Sequence, residues 1–181
     1  GEVDVDVVWG GEGPPPGWSP GEADALAATV EEDLVRAAPL ACARAGLGAP
    51  PPGGLRELAV VLCGDAYIQE LNKEWRGRDA PTDVLSFPQG DPLPGCPVQP
   101  LGDLVVSVET AARQAGLAPG PPGDPQAVAA LRAELRLLAT HGMCHLLGHD
   151  HEGEWAEAGR MAAEEDALLT ALGWAGEGMV S

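Results

Sequence analysis

Four segments rich in proline and glycine divide this 181-residue chain and limit the length of every element between them. They lack hydrophobic periodicity, so we interpret each one as a solvated loop. The loops recur along the whole chain instead of separating two halves, which predicts one domain over residues 1–181. The predicted loops are residues 10–20, 48–54, 88–100 and 118–125.

Short apolar or alternating runs between the loops predict roughly four strands. Residues Val3 to Trp9 alternate valine with aspartate, a pattern typical of a strand with one buried face. The β-branched and apolar residues of the other three runs are bounded by glycine or proline, as strands commonly are. These further strands are predicted at Glu57 to Cys63, Thr82 to Phe87 and Leu101 to Val108.

Helical patterns alternate with the predicted strands. Ser19 is suited to cap the first helix, Pro20 suits its first turn, and we expect Pro39 to disturb it. Its predicted apolar stripe is Leu26, Val30, Leu34 and Val35.

The remaining helices complete the expected fold. Asp65 is predicted to cap the second helix, and we interpret its Trp75 as a core residue in preference to a base-stacking platform. The order of elements indicates an α/β (α+β) fold, with a roughly four-stranded mixed sheet packed against about five helices. The later helices are predicted at Glu109 to Ala115, at residues 126–147, and at Glu154 to Leu172 with Gly173 as its stop.

Composition restricts the surroundings of the protein. The chain has 28 acidic against 10 basic residues, a net charge of −18, which argues against a broad nucleic-acid-binding face. A local basic cluster remains at Lys73, Arg76 and Arg78. No apolar run is long enough to span a membrane and no secretory signal is visible, so we expect a soluble protein without membrane association. The chain does not begin with Met, which indicates trimming or excision and leaves a removed targeting peptide open.

The four cysteines, at positions 42, 63, 96 and 144, are scattered without a C-x-x-C pair. This spacing predicts reduced and mostly buried thiols, as in an intracellular protein.

All four histidines of the chain fall between positions 141 and 151. His141 and His145 are four residues apart on a predicted helix, so both imidazoles lie on one face and can bind one metal ion. We expect Gly148 to end the helix in a left-handed conformation and return His149, Asp150 or His151 as a third ligand. Three protein ligands leave one open coordination position, which is typical of catalytic zinc sites.

Other interpretations of this segment stay open from spacing alone. The pair could be a purely structural metal site or a satisfied polar pair, and Cys144 is a less favoured ligand. Gly142 stands where zinc peptidases carry a glutamate base, which disfavours a peptidase.

The segment from His141 to His151 resembles the signature His-Gly-x-Leu-His-Leu-x-Gly-x-Asp-His of the YbeY family, metal-dependent endoribonucleases of ribosomal RNA maturation. Cys144 replaces the usual leucine. The resemblance extends over residues 58–172. It also includes Leu71-Asn72, Trp75-Arg76, the run from Pro81 to Pro88, and Leu101-Gly102-Asp103.

The resemblance implies that His141, His145 and His151 bind one Zn²⁺ ion. His149 stands where the family has an aromatic residue, so it is not expected to be a ligand. Arg76 is implied to matter for activity, and an arginine beside the cleft can clamp a phosphodiester. Asp103 can orient a histidine ligand or help to activate water, or simply close a turn.

The leading hypothesis is therefore a zinc-dependent single-strand endoribonuclease. By resemblance it would act on rRNA precursor, at the 3′ end of small-subunit rRNA and in ribosome quality control, with the ribosome or ribosomal proteins as partners. The alternatives are a ribosome-associated assembly factor with a mainly structural zinc, and a metallohydrolase acting on peptides or small molecules. Composition leaves plastid stroma and bacterial cytoplasm as compartments.

Overall fold

A computed structural model describes residues 3–50, 52–89, 94–148 and 155–175, without the side chains of residues 155–158. Within these ranges the chain forms a four-stranded mixed sheet and five helices, which confirms the predicted fold class. The single-domain extent over residues 1–181 stays a prediction. In chain order the elements are β1 (Val3–Trp9), α1 (Pro20–Arg44), β2 (Leu55–Cys63), α2 (Asp65–Arg76), β3 (Val84–Pro88), β4 (Val98–Ser107), α3 (Val108–Gln114), α4 (Pro125–Gly148) and α5 (Trp155–Leu172).

The sheet has the order β1-β2-β4-β3. β1 and β4 each run parallel to β2, whereas β3 runs antiparallel to β4 and forms one edge. Side chains alternate between the two faces along each strand. One face of the sheet carries the larger hydrophobic core, shared with α1, α3, α4 and α5, and the other face packs against α2.

The larger core is built from aliphatic side chains that are almost completely excluded from solvent. Burying each leucine contributes roughly 1.5–3 kcal/mol relative to leaving it exposed. The smaller core under α2 contains Ile68, Leu85 and Val105. Fully buried members of the larger core are Leu34, Leu58, Leu62, Leu104, Leu131 and Leu168.

The helix α1 begins as predicted and ends later than predicted. Ser19 accepts a hydrogen bond from the backbone N–H of Glu22, and the Glu22 carboxylate accepts one from the backbone N–H of Ser19. The expectation that Pro39 disturbs the helix is wrong, because the helix continues through this proline to Arg44. The nearby Ala37, Ala38 and Ala41 pack into the core, and this packing outweighs the lost backbone hydrogen bond. Val35 is half exposed and does not belong to the buried stripe.

A buried ion-pair cluster joins α1 to α4. The Asp33 carboxylate accepts hydrogen bonds from the guanidinium groups of Arg132 and Arg136, at 2.7–3.1 Å. Arg136 also lies over the Trp174 ring, 4.7 Å from its centroid. Burial alone would raise the pKa of Asp33, but the two arginines outweigh it and lower the pKa. The cluster holds the histidine-bearing helix against α1.

The predicted cap of α2 is replaced by a longer-range contact. Gly64 occupies the cap position, and the Glu109 carboxylate accepts the hydrogen bond from the backbone N–H of Asp65. The Asp65 side chain instead accepts hydrogen bonds from Ser107 and Thr110 and pairs with Arg113. The expectation that Asp65 caps α2 is therefore wrong, because its carboxylate accepts hydrogen bonds from side chains at the start of α3.

The strand boundaries near the site differ slightly from the prediction. β3 begins at Val84, and the Asp83 carboxylate just before it accepts a hydrogen bond from the Val84 N–H at 2.7 Å. β4 begins at Val98, so the end of the predicted loop 88–100 belongs to the sheet. Residues 90–93 of that loop lie outside the described residues.

The cysteines are free thiols, as predicted, and only Cys96 is exposed. Burial is the main cause that raises the pKa of Cys63 and of Cys144 to about 12, so both are held as neutral thiols. None of the described helices is both long and apolar enough to cross a membrane.

Candidate metal centre

His141 and His145 lie one turn apart near the end of α4. Their Nε2 atoms are 3.0 Å apart, and their ring centroids are separated by 4.5 Å. Two nitrogens bound to one tetrahedral zinc ion at about 2.0 Å lie about 3.3 Å from each other. The observed separation is close to that value, so the two imidazoles fit a shared metal ion.

A carboxylate on α5 orients the first of these histidines. Glu165 Oε1 lies 2.6 Å from His141 Nδ1. A carboxylate at this distance holds the proton on Nδ1 and leaves Nε2 as the free donor toward a metal. The Glu165 side chain is 23% exposed, so this contact is partly sheltered from water.

His145 is held toward its neutral form. Burial, followed by the neighbouring His141, lowers the pKa of His145; Glu165 opposes this and Arg76 adds to it. The neutral imidazole is the form that coordinates a metal. The influence of Arg76 also indicates that its guanidinium lies within electrostatic range of His145.

The third predicted ligand, His151, lies outside the described residues, as does His149. Among the residues that the structure describes, no group of three His, Cys, Asp or Glu side chains is arranged to hold a metal ion. The expectation that Gly148 adopts a left-handed conformation is wrong. Its φ is not positive, and α4 includes it as the last residue.

The glycine between the histidines permits close contact between α4 and the sheet. A Cβ at Gly142 would lie 2.7 Å from Leu104 Cδ2 and 3.3 Å from Ser86 Oγ. The Ser86 hydroxyl donates a hydrogen bond to the Gly142 carbonyl at 3.1 Å. This contact ties the histidine pair to the edge strand β3.

Arg76 reaches the same strand from the other face of the sheet. Its Nη2 donates a hydrogen bond to the Ser86 carbonyl at 2.8 Å, and its guanidinium lies 5.5 Å from the Phe87 ring centroid. Gly77 follows with a φ of 71°, ending α2 in a left-handed cap. The structure therefore connects Arg76 to α4 through a single residue, Ser86.

The two other basic residues of the cluster behave as surface charges. Lys73 Nζ lies 3.8 Å from Asp79 Oδ2, and both side chains are about two-thirds exposed. Arg78 is also exposed. Of the three basic residues, Arg76 is the one bonded to the edge strand β3, and its charge is among the causes that lower the pKa of His145.

Asp103 occupies a different position from the one its predicted role suggests. It pairs with Phe87 in the sheet, and its neighbour Leu104 faces α4. Because side chains alternate along a strand, Asp103 points to the α2 face, opposite the histidines. Burial raises its pKa. Its predicted role in orienting a histidine or activating water stays a prediction.

Trp75 is not a core residue, and the sequence-based interpretation of it is wrong. It is 64% exposed and meets the Phe87 ring edge-on, with a centroid separation of 6.4 Å. The apolar stripe of α2 predicts burial here, since Ile68 lies two turns earlier and is buried. However, β3 is the edge of the sheet in the part of the chain that the structure describes, so no described strand covers the end of the helix.

Two residues of the site were not assigned a role from the sequence. Glu165 lies 24 residues after His141 on another helix, and no motif spacing marks it. Ser86 lies within the family block from Pro81 to Pro88, and its carbonyl accepts a hydrogen bond from Arg76 while its hydroxyl donates one to the Gly142 carbonyl. Its place within that block is the one signal that the sequence offers.

The fold and the site define an α/β protein in which α4 packs against the sheet. The end of this helix presents two convergent imidazoles beside the edge strand β3. Comparison with known sequences identifies the family. The chain belongs to the endoribonuclease YbeY family, whose sequence profile matches residues 35–173.

Individual relatives come from plants and bacteria. The chain is 48% identical over 124 residues to "Endoribonuclease YBEY, chloroplastic" of Arabidopsis thaliana, covering 68% of this chain and 20% of the relative. It is 47% identical over 120 residues to an endoribonuclease YbeY of Anaeromyxobacter sp. (strain Fw109-5), covering 66% of this chain and 56% of the relative. An endoribonuclease YbeY of Paramagnetospirillum magneticum is 37% identical over 177 residues, covering 95% of this chain and 92% of the relative. The chain thus spans about a fifth of the length of the Arabidopsis relative and about half of the length of the Anaeromyxobacter relative.

Proposed function

We propose that this protein is a metal-dependent endoribonuclease in which His141, His145 and His151 hold one zinc ion. Membership of the YbeY family supports the activity. The observation that carries the metal assignment is the 3.0 Å approach of the two Nε2 atoms, with Glu165 fixing the ring of His141. Imidazole nitrogen is a preferred zinc donor, and His151 supplies the third ligand in the family signature.

The protein side chains divide the work around this centre. A zinc ion held by imidazoles supplies Lewis acidity toward a phosphodiester. Glu165 keeps His141 in the tautomer that presents Nε2. Arg76, anchored on the Ser86 carbonyl, binds a phosphate oxygen and offsets the negative charge that develops there.

The proposed substrate is single-stranded RNA, and specifically rRNA precursor at the 3′ end of the small-subunit rRNA. The net charge of −18 disfavours binding through a broad electrostatic surface, so recognition rests on a local cation and on contacts to bases. Ribosomal proteins or the ribosome itself are the proposed partners that bring the acidic protein to RNA.

The acidic charge also favours a second candidate function, a ribosome-associated assembly factor in which zinc is mainly structural. Docking through a protein partner does not require a basic face. In this case zinc would hold the end of α4 against the chain that follows, and RNA cleavage would be weak or absent.

The proposed compartment is the plastid stroma or the bacterial cytoplasm. The support comes from the relatives, which include a chloroplastic protein of Arabidopsis and several bacterial proteins.

One assay separates the nuclease from the assembly factor. Labelled rRNA precursor is incubated with zinc-loaded wild type, His141→Ala and Arg76→Glu, and circular dichroism is recorded with and without a chelator. We expect cleavage by wild type only, and a folded protein after chelation. Unfolding on chelation would indicate a structural zinc, and equal cleavage by all three proteins would exclude the proposed site.

A further inference from the structure

Trp75 is a large aromatic side chain left open to solvent beside the candidate site. It is 64% exposed at the last turn of α2, immediately before Arg76. Its edge contact with Phe87 fixes one side of the indole and leaves ring surface accessible. Association with another flat apolar group is favourable because it removes this aromatic surface from water.

Phe87 links this aromatic surface to the phosphate-binding cation. The Phe87 centroid is 6.4 Å from that of Trp75 and 5.5 Å from the Arg76 guanidinium carbon. The indole and the guanidinium are therefore at most about 12 Å apart. A single strand spans this separation within a few nucleotides, since stacked nucleotides advance by roughly 3.4 Å each.

We propose that Trp75, braced by Phe87, is a stacking subsite for one base of a single-stranded RNA whose phosphate is bound by Arg76. The inference rests on the proposed function, because it takes RNA as the substrate. An aromatic surface beside an arginine is the combination with which proteins bind single strands without reading their sequence. In a chain of net charge −18, such a local contact supplies affinity that the overall electrostatic field cannot.

The test is the binding of a fluorescently labelled single-stranded oligoadenylate, followed by anisotropy in the presence of a chelator so that the strand stays intact. The variants are Trp75→Ala, Trp75→Leu and Trp75→Phe. Val128→Ala is the control, because Val128 is also an exposed apolar residue but lies in the first turn of α4. Circular dichroism verifies that each variant is folded.

We expect Trp75→Ala and Trp75→Leu to weaken binding about 5- to 100-fold, and Trp75→Phe to recover most of the loss. Val128→Ala should bind like wild type. Leucine keeps apolar cover over Phe87 but has no aromatic face, so the Leu and Phe pair separates stacking from packing. Equal binding by wild type and Trp75→Ala, or by the Leu and Phe variants, would overturn the proposal.

An abasic scan tests the contact directly. Oligoadenylates that lack one base at successive positions are bound to wild type and to Trp75→Ala, forming a double-mutant cycle. We expect one position where losing the base weakens wild type but not the variant. Independent losses at every position would overturn the subsite. Energetic coupling between Trp75 and one base, found together with no zinc-dependent cleavage, would support the stacking subsite and refute the nuclease activity. The experiment therefore distinguishes failure of the subsite from failure of the proposed function.

Discussion

His141 and Glu165 belong to different helices and are 24 residues apart, yet Nδ1 and Oε1 lie within 2.6 Å of each other. The contact joins α4 to α5 at the site itself. Because the carboxylate fixes which nitrogen of His141 carries the proton, the packing of α5 determines how the imidazole is presented to a metal. The last helix is thus part of the candidate centre as well as part of the core.

Replacing Glu165 should weaken zinc binding without unfolding the protein. We expect Glu165→Ala to lower zinc affinity about 10- to 100-fold, since carboxylates that orient a histidine ligand contribute on this scale. Competition with a chromophoric chelator measures the affinity. Glu164→Ala is the matched control, because Glu164 is the preceding residue on α5 and pairs with Arg44 instead. Equal affinities in the two variants would refute an orienting role.

Arg76 should matter for cleavage far more than its basic neighbour. We expect Arg76→Ala to reduce the cleavage rate of single-stranded RNA about 10²- to 10³-fold, the usual loss when a group that stabilises developing charge is removed. Lys73→Ala serves as the control, because Lys73 is two-thirds exposed and faces Asp79. Single-turnover rates with zinc-loaded protein measure the effect. Similar rates for the two variants would mean that Arg76 is only another surface charge.

A side chain at Gly142 should destabilise the protein. A Cβ there would lie 2.7 Å from Leu104 Cδ2, so we expect Gly142→Ala to lower the free energy of unfolding by about 1–3 kcal/mol. Gly159→Ala is the opposite case, because nothing lies within 4 Å of its added Cβ in α5. Alanine is the better helix former, so this control should be neutral or stabilise by about 0.5–1 kcal/mol. Urea unfolding of both variants decides the matter, and equal stabilities would contradict the packing argument.

The Asp33 cluster predicts a specific pH dependence of stability. The two arginines lower the pKa of Asp33 below its unfolded value of about 3.9, against the opposing effect of burial. The stabilisation is therefore present above about pH 4 and is lost as the pH falls through the folded pKa. We expect Asp33→Asn to cost about 3 kcal/mol at neutral pH and progressively less in acid.

Urea unfolding at a series of pH values measures this dependence. Asp24→Asn is the control, because Asp24 is an exposed aspartate on the same helix. The control should change stability little at any pH. A difference between wild type and Asp33→Asn that did not shrink in acid would show that the carboxylate charge is not what stabilises the cluster.

Local patterns in the sequence were sufficient to predict the elements of this fold and the pairing of His141 with His145. Alternation predicts β1 and four-residue spacing predicts the imidazole pair, because both depend on neighbours along the chain. Glu165 and the exposure of Trp75 depend instead on which elements pack together and which strand forms the sheet edge. Asp103 was a reasonable candidate by resemblance, but the face on which it lies follows from the register of β4.

The packing at Gly142 also limits which side chains can stand next to His141. A zinc peptidase needs a carboxylate one residue after its first histidine, and here that position is closed by Leu104, Ser86 and Val84. A glutamate introduced at position 142 would have to displace the side chains of Leu104, Ser86 and Val84, or move α4 away from the sheet. Introducing the peptidase base at this position therefore costs core packing between α4 and the sheet. The barrier between the two activities is steric, and it follows from a residue that itself has no side chain.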